Sequence, residues 1–384
     1  MKLFSHHVKK KSFLCNLKVF SIKWLYHLLC LLPLKDNRIL FLSDSRTDVS
    51  GNFEYVYKEL INRDIKFDYK FVLKVEKKNK IEVLLLVYYL ATSKFIFLDD
   101  YYPLIYPLKI RKNAEVIQLW HAVGAFKKFG YSRVGLPGGP HIKSKSHRNY
   151  TKAIVSSKNV IKHYSEGFGI SEDKILSTGI PRTDLFFDEN KKEKIRKKFF
   201  NKYPFLKNKK IITFAPTFRG NGKKSAHYPF QVVDLEKLYS SFSKDYIFLF
   251  KMHPFIKQKI IIPDEYKEFF YDFSTFREIN QLLIVTDILI TDYSSVCFEF
   301  ALLNKPMVFF AFDMENYLKT RNFYYKYDQF VPGPIVRNTN ELIKVIKHNH
   351  FNLKELKSFV NYFFDHMDGC SSARVVDELI FKNN

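Results

Sequence analysis

Cysteine is scarce in this chain: Cys15, Cys30, Cys297 and Cys370 are all that 384 residues contain, and they are scattered. Their spacing matches no metal-ligand set and favours free thiols in a reducing compartment over a disulfide framework. There is no G-x-G-x-x-G and no P-loop, and no G-x-S-x-G of a serine hydrolase. Internal repeats are absent as well. A long uninterrupted apolar run is also missing. Phe13 to Pro33 is rich in Leu, Phe, Trp and Tyr, but Asn16, Lys18, Lys23 and His27 break it. A spanning helix needs roughly 18 residues with few charges, and no small-residue cleavage site marks a secretory signal. Acid is in short supply: 39 Asp+Glu face 63 Lys+Arg, a formal net charge of +24. That imbalance calls for an anionic partner, such as nucleic acid, an acidic membrane surface or a phosphate-rich substrate.

What is present suits a large globular protein. Hydrophobic residues make up 46% of the chain and aromatic residues 17%, ample for real cores, and the length favours two domains. Residues 1–12 are basic, with Lys2, Lys9, Lys10, Lys11, His6 and His7. Together with Trp24 and Tyr26 they read as an amphipathic segment, residues 1–35, lying on an anionic inner leaflet. A core-packing helix of the first domain is the competing reading.

From Asn37 onward, apolar strands alternate with helices, the pattern of parallel, doubly wound sheets. Asn37–Leu42, Asp68–Leu73, Lys94–Leu98, Val116–Trp120 and Lys152–Ser156 read as strands. Tyr101–Leu108 is aromatic and Pro-broken, like a surface loop that dips into a membrane or meets the partner domain. Residues 131–149 form a long basic loop of the kind that is usually functional or disordered. The lysine-rich helix Asp188–Asn201 marks the domain boundary, giving domains 36–188 and 189–384. In the second, Lys210–Phe214, Tyr246–Lys251, Leu283–Ile290 and Met307–Phe312 read as strands, and Tyr317–Pro334 as a loop. Ile279–Val285 competes with the Leu283 strand as a short helix.

The stretch from Ile290 to Phe310 is the focus. After its strand, Thr291, Asp292, Ser294 and Ser295 crowd the start of a helix, where free N–H groups and partial positive charge favour an anion. Glu299 follows Ser295 by about one turn. The bland alternative is an ordinary helix cap. Two histidines, His121 and His253 (the latter followed by Pro254), each stand just past a strand, where ligands bind in such sheets. An imidazole there can take a hydroxyl proton near neutrality; singly, each is better explained as a structural or loop residue, and only the pair together with the helix-start turn favours function. Gly124, Lys127 and Lys128 follow His121, and Arg219 after Thr217 suits an oxyanion. Asp99-Asp100 is a weak candidate for a divalent ion.

Gln118-Leu-Trp-His-Ala-Val-Gly-Ala-Phe-Lys-Lys-Phe-Gly130 resembles a motif of the CDP-glycerol glycerophosphotransferase family, the teichoic acid glycerol- and ribitol-phosphate transferases. Ser177–Asp184, Phe214–Arg219, Lys251–Pro254, Thr291–Phe300 and Asp368–Arg374 resemble its other motifs, in order, so the likeness covers roughly residues 37 to 380. Ala122 and the Gly138-Gly139 loop resemble the polymerase and primase branch. The resemblance implies a GT-B-like α/β fold, two Rossmann-like domains with parallel sheets facing a central cleft, and a last helix returning to the first. It implies transfer of glycerol or ribitol phosphate from a CDP-polyol to a polyprenyl-diphosphate-linked acceptor, with release of CMP, at the cytoplasmic face of a Gram-positive cell membrane.

In that scheme His121 is the base. His253, Arg219, Thr217, Pro254, Thr291, Asp292, Ser294 and Ser295 hold the donor phosphates and Glu299 its ribose. Gly124, Lys127, Lys128, Arg182 and Arg374 serve acceptor or phosphate. No resident metal is implied, though Mg2+ is compatible, as is a homo-oligomer; no nucleic acid is expected. A GT-B glycosyltransferase using a nucleotide-sugar is the nearest rival, and a non-catalytic basic binder of membrane or nucleic acid is the remote one.

Overall fold

The computed structural model describes residues 19–64, 66–76 and 78–382. The basic start of the proposed membrane segment lies outside the described residues; the part within them is a helix over 19–29, α1. The described chain divides into two compact units. The first takes the residues up to Ala122, Phe129–Asp184 and those from Cys370 on, and the second takes Val123–Lys128 and Leu185–Gly369.

The first unit runs β1 (Lys35–Leu42), α2 (Asn52–Asn62), β2 (Asp68–Val72), α3 (Lys80–Thr92), β3 (Ser93–Leu98), β4 (Glu115–Gln118), β5 (Lys152–Ile154), α4 (Ile161–Phe168) and β6 (Ile175–Leu176). Its strands form one sheet in the order β2-β1-β3-β4-β5-β6, every pair parallel. Parallel strands covered on both faces are apolar along their length, and Ile39 to Leu42 and Phe95 to Leu98 are fully buried. Strand order reverses between β1 and β3, so the carboxyl ends of β1, β3 and β4 open on one edge of this sheet.

The second unit runs α5 (Glu189–Lys202), β7 (Lys210–Phe214), α6 (Leu235–Phe242), β8 (Tyr246–Phe250), β9 (Phe270–Asp272), α7 (Ile279–Val285), β10 (Ile288–Thr291), α8 (Val296–Ala301), β11 (Met307–Phe310), α9 (Met314–Thr320), α10 (Tyr327–Phe330), β12 (Ile335–Val336), α11 (Thr339–Lys347) and α12 (Leu353–Phe363). Its parallel sheet is ordered β12-β11-β10-β7-β8-β9, with the reversal between β7 and β10. Phe214, Phe248, Phe250, Ile290 and Phe310 centre one core face; Leu249, Ile211 and Phe199 centre the other.

The last helix, α13 (Ser371–Val376), belongs to the first unit and packs on α2. The Asp184 carboxylate receives the N–H groups of Ser371 and Ser372, at 2.9 and 2.8 Å, and the Ser372 hydroxyl at 2.6 Å. These are the orphan donors of a helix start, so one buried acid pins the returning chain.

Several sequence expectations change. Leu283–Val285 ends α7, and the strand begins only at Ile288; a short apolar run carries no period that separates helix from strand. Tyr317–Pro334 is not plain loop but contains the end of α9 and all of α10. Tyr101–Leu108 is no membrane-dipping loop, because Tyr102, Ile105 and Leu108 are buried inside the first unit. The 131–149 segment is a chain of hydrogen-bonded turns closed by buried His147. Segment 123–128, expected in the first domain, packs with the second unit.

Candidate functional site

β3 and β4 are neighbours, so the residues just past their carboxyl ends meet. Asp100 and His121 stand there, and the His121 Nδ1 lies 3.1 Å from the Asp100 Oδ1. A carboxylate can only accept, so Nδ1 carries the proton and Nε2 is left with its lone pair. Burial pushes the Asp100 carboxyl up, but its interaction with His121, helped by hydrogen bonds from the Tyr101 N–H and Ser45, outweighs burial, and its pKa ends below the ordinary value. The His121 side chain is 45% exposed, so the basic nitrogen can reach a ligand.

The backbone carrying His121 is held in a strained form. Trp120 has φ +57°, a left-handed value that a bulky residue adopts only under outside constraint. That constraint comes from buried amides. Gln118 accepts the Trp120 N–H at 2.9 Å and donates to the Asp100 carbonyl at 3.1 Å. Asn52 donates to the carbonyls of Leu119 and Trp120. Arg182 donates to the His121 carbonyl at 2.9 Å, while its own N–H is held by Asn52. The Trp120 ring rests on Phe129, Phe168 and His147. His147 shares a hydrogen bond with the Tyr150 hydroxyl at 2.9 Å, and burial pushes its pKa down to about 4.

In the second unit the reversal between β7 and β10 brings Thr217 and Arg219 to Asp292. The Thr217 N–H donates to Asp292 Oδ1 at 2.7 Å, and Arg219 donates to Asp292 Oδ2 at 2.9 Å. Arg219 also grips Asp313 through two nitrogens, at 2.6 and 2.9 Å, and donates to the Thr217 carbonyl. Tyr228, Tyr293, Phe312 and Tyr317 surround its guanidinium. Burial disfavours that charge, but Asp292 and Asp313 reverse the balance and raise the pKa.

His253 follows β8, the neighbour of β7 on its other side. The Phe255 N–H donates to its Nδ1 at 3.1 Å, so the neutral ring carries its proton on Nε2. Burial first, then Lys127 and Lys251, push its pKa down to about 4. This ring therefore presents an N–H donor, the opposite tautomer to His121.

The remaining candidates sort by environment. Thr291 and Asp292 are fully buried; Thr291 donates to the Ala215 carbonyl. They and Arg219 build the turn, with four of the five Arg219 N–H donors spent on Asp292, Asp313 and the Thr217 carbonyl. Ser294 and Ser295 are half-buried, with the Ser294 hydroxyl 3.4 Å from the Val296 N–H. Glu299 is buried on α8 and Pro254 is exposed. Arg374 donates to the Thr178 carbonyl, fastening α13 in the first unit. Gly124, Lys127 and Lys128 sit in the second unit, away from the first-unit assignment their place in the chain suggested. Asp99 lies 3.0 Å from Arg46, and Asp100 is bonded to His121. Among the described residues, no group of three or more His, Cys, Asp or Glu side chains could hold a metal ion.

Sequence reasoning did not single out Asn52 or Gln118, and it did not pair Asp100 with His121. Two residues on adjacent strand ends are a legible signal once β3 and β4 are known to be neighbours. Asn52 and Gln118 leave no such trace, because an amide's role depends on which backbone it meets.

Residues 24–382 match the family model described as CDP-Glycerol:Poly(glycerophosphate) glycerophosphotransferase. The chain is 57% identical over 372 residues to a teichoic acid poly(ribitol-phosphate) polymerase of Bacillus spizizenii, covering 96% of this chain and 60% of that protein. The chain thus spans well under two thirds of that relative's length. It is 36% identical over 382 residues to a teichoic acid ribitol-phosphate primase of the same organism, covering 96% of this chain and 97% of the relative. Among solved structures, the wall teichoic acid polymerase TagF aligns over 99% of this chain and 98% of its own, with TM-score 0.78 and 24% identity. That likeness establishes the α/β, GT-B-like class.

Proposed function

Since the chain belongs to the CDP-glycerol:poly(glycerophosphate) glycerophosphotransferase family, we propose that it transfers a polyol phosphate from a CDP-polyol to the hydroxyl of a lipid-linked acceptor in teichoic acid synthesis. Ribitol phosphate is the favoured group, because the relatives at 57% and 36% identity are named for it. The observation that carries the reading is His121, its Nδ1 proton held by Asp100 and its Nε2 free. Nε2 removes the acceptor hydroxyl proton as that oxygen attacks the polyol-bearing phosphorus in line. The bond from that phosphorus to the bridging oxygen breaks, and CMP leaves with that oxygen. His253 offers its Nε2–H to the developing charge. Ser294 and Ser295 lie on the turn that Arg219 and Asp292 hold, and they complete the polar surface at the sheet edge. Phosphoryl transfer is chiefly positioning and charge stabilisation, so this set is sufficient.

The acceptor's lipid places the protein at the membrane's inner face. On α1 the side chains of Phe20, Trp24 and Leu28 recur every fourth residue and are exposed, Phe20 at 66% and Trp24 at 62%. Tyr26, on the opposite face, is buried and accepts the Arg111 N–H at 3.1 Å. A helix anchored on one face with an apolar stripe on the other suits peripheral binding to an anionic surface. No described helix is long and apolar enough to cross a membrane.

The test is CMP release from CDP-ribitol and from CDP-glycerol with a lipid-linked acceptor analogue. Acceptor-dependent CMP from CDP-ribitol, lost in a folded His121→Ala variant, is expected. Consumption of a sugar nucleotide, with no CMP from either polyol donor, overturns the reading. Sedimentation with anionic vesicles, weakened by Trp24→Glu, checks the membrane face.

A further inference from the structure

We propose that Lys127 binds the donor's diphosphate, as a ligand of the second unit, and does not serve the acceptor. This rests on the CDP-polyol reading above. Four observations carry it.

The loop bearing Lys127 is built into the second unit. Gly124 has φ +64°, and a Cβ there would overlap the Phe298 ring of α8. Phe126 packs on Phe298, Phe323, Tyr327 and Phe330. Lys127 pairs backbone to backbone with Phe323, and the Lys128 N–H donates to the Asn322 carbonyl at 2.8 Å. The ammonium is thereby delivered to the cluster that Asp292 and Arg219 organise.

Its charge is answered only in part there, by Asp292 at a distance and by the Tyr317 ring below it. Among the described residues, the Lys127 Nζ makes one hydrogen bond, to the Tyr317 hydroxyl at 3.3 Å, and no ion pair. The two carboxylates of the cluster, Asp292 and Asp313, are both engaged by Arg219. Arg321 is a further cation within electrostatic reach of Lys127. Three cations thus face two acids.

The field is strong enough to show on neighbouring groups. Burial, helped by Arg321 and Arg219 and opposed by Asp292, pushes the Lys127 ammonium down to about 8. Lys127 in turn depresses His253. A partly buried excess of positive charge is costly unless an anion completes it.

The geometry of the neighbours names the anion's class. His253 supplies an Nε2–H donor, and half-buried Ser294 and Ser295 supply hydroxyls. An ammonium with an N–H and hydroxyl donors suits the several oxygens of a nucleoside diphosphate.

The experiment compares calorimetric binding of CDP and of cytidine to wild type, Lys127→Met and Lys127→Arg. Lys197→Met, on an exposed position of α5, controls for net charge, and thermal melting controls for folding. Wild type and the control are expected to prefer CDP over cytidine by a common factor. Lys127→Met should cut that factor by about tenfold or more, with cytidine affinity kept, and Lys127→Arg should restore part of it. An unchanged ratio in a folded Lys127→Met protein overturns the proposal and leaves the donor reading standing. So does a raised acceptor KM with donor affinity intact. If wild type binds neither CDP nor a CDP-polyol, both readings fall together.

Discussion

Asp100 accepts the Nδ1 proton of His121 at 3.1 Å across two neighbouring strand ends, and this single bond leaves Nε2 as the nitrogen that the proposed base would use. Asp100→Asn keeps the shape but offers an amide that can donate as well as accept, so the ring can present the wrong nitrogen. The expected loss is about 10²-fold or more in kcat with donor KM little changed. Steady-state CMP release checks it; an equal fall in donor affinity would place Asp100 in binding instead.

His253 should take up a proton when donor binds. In the free protein its pKa is near 4, so it is neutral at pH 7. A bound diphosphate reverses the local charge and raises that pKa. Calorimetry of CDP binding in buffers of different ionisation enthalpy near pH 6.5 should show proton uptake, reduced in His253→Gln. Buffer-independent enthalpies would exclude it.

His147 makes stability depend on acid. Its folded pKa of about 4 lies below the ordinary 6.5, so the unfolded chain binds the extra proton between those values. Stability therefore falls as pH drops from 6.5 towards 4, by ~3 kcal/mol if the shift is fully expressed. Urea unfolding across that window should show the slope. His253, also held near 4, adds a slope of the same sign, so the total should become shallower, not vanish, in His147→Asn, a residue that tolerates the φ of +65° found here.

Arg219 should matter to folding before it matters to binding. Arg219→Ala leaves fully buried Asp292 and half-buried Asp313 without their cation, and a loss of about 3–5 kcal/mol is expected. In an Arg219→Met, Asp292→Asn, Asp313→Asn triple variant, part of that loss should return. Urea melts of the variants check both statements. A stable Arg219→Ala protein that has lost only CDP affinity would return Arg219 to the phosphate.

Much was legible before any coordinates. Apolar runs spaced by helices announced parallel sheets, because strands buried on both faces leave no polar positions. Histidines just past β4 and β8 were visible for the same reason: strand ends are readable, and chemistry collects there. The family resemblance extended this to a reaction. Three matters were decided only by the fold. Strand order brought Asp100 to His121 and Arg219 to Asp292, pairs separated in the chain by 21 and 73 residues. Bonds joining Thr217, Arg219, Asp292 and Asp313 made these residues the frame of a turn, a role their sequence positions did not announce. And the glycine at 124, closing on Phe298, carried Lys127 out of the unit its neighbours in sequence build. Sequence records which groups are available; only packing determines which of them are already satisfied.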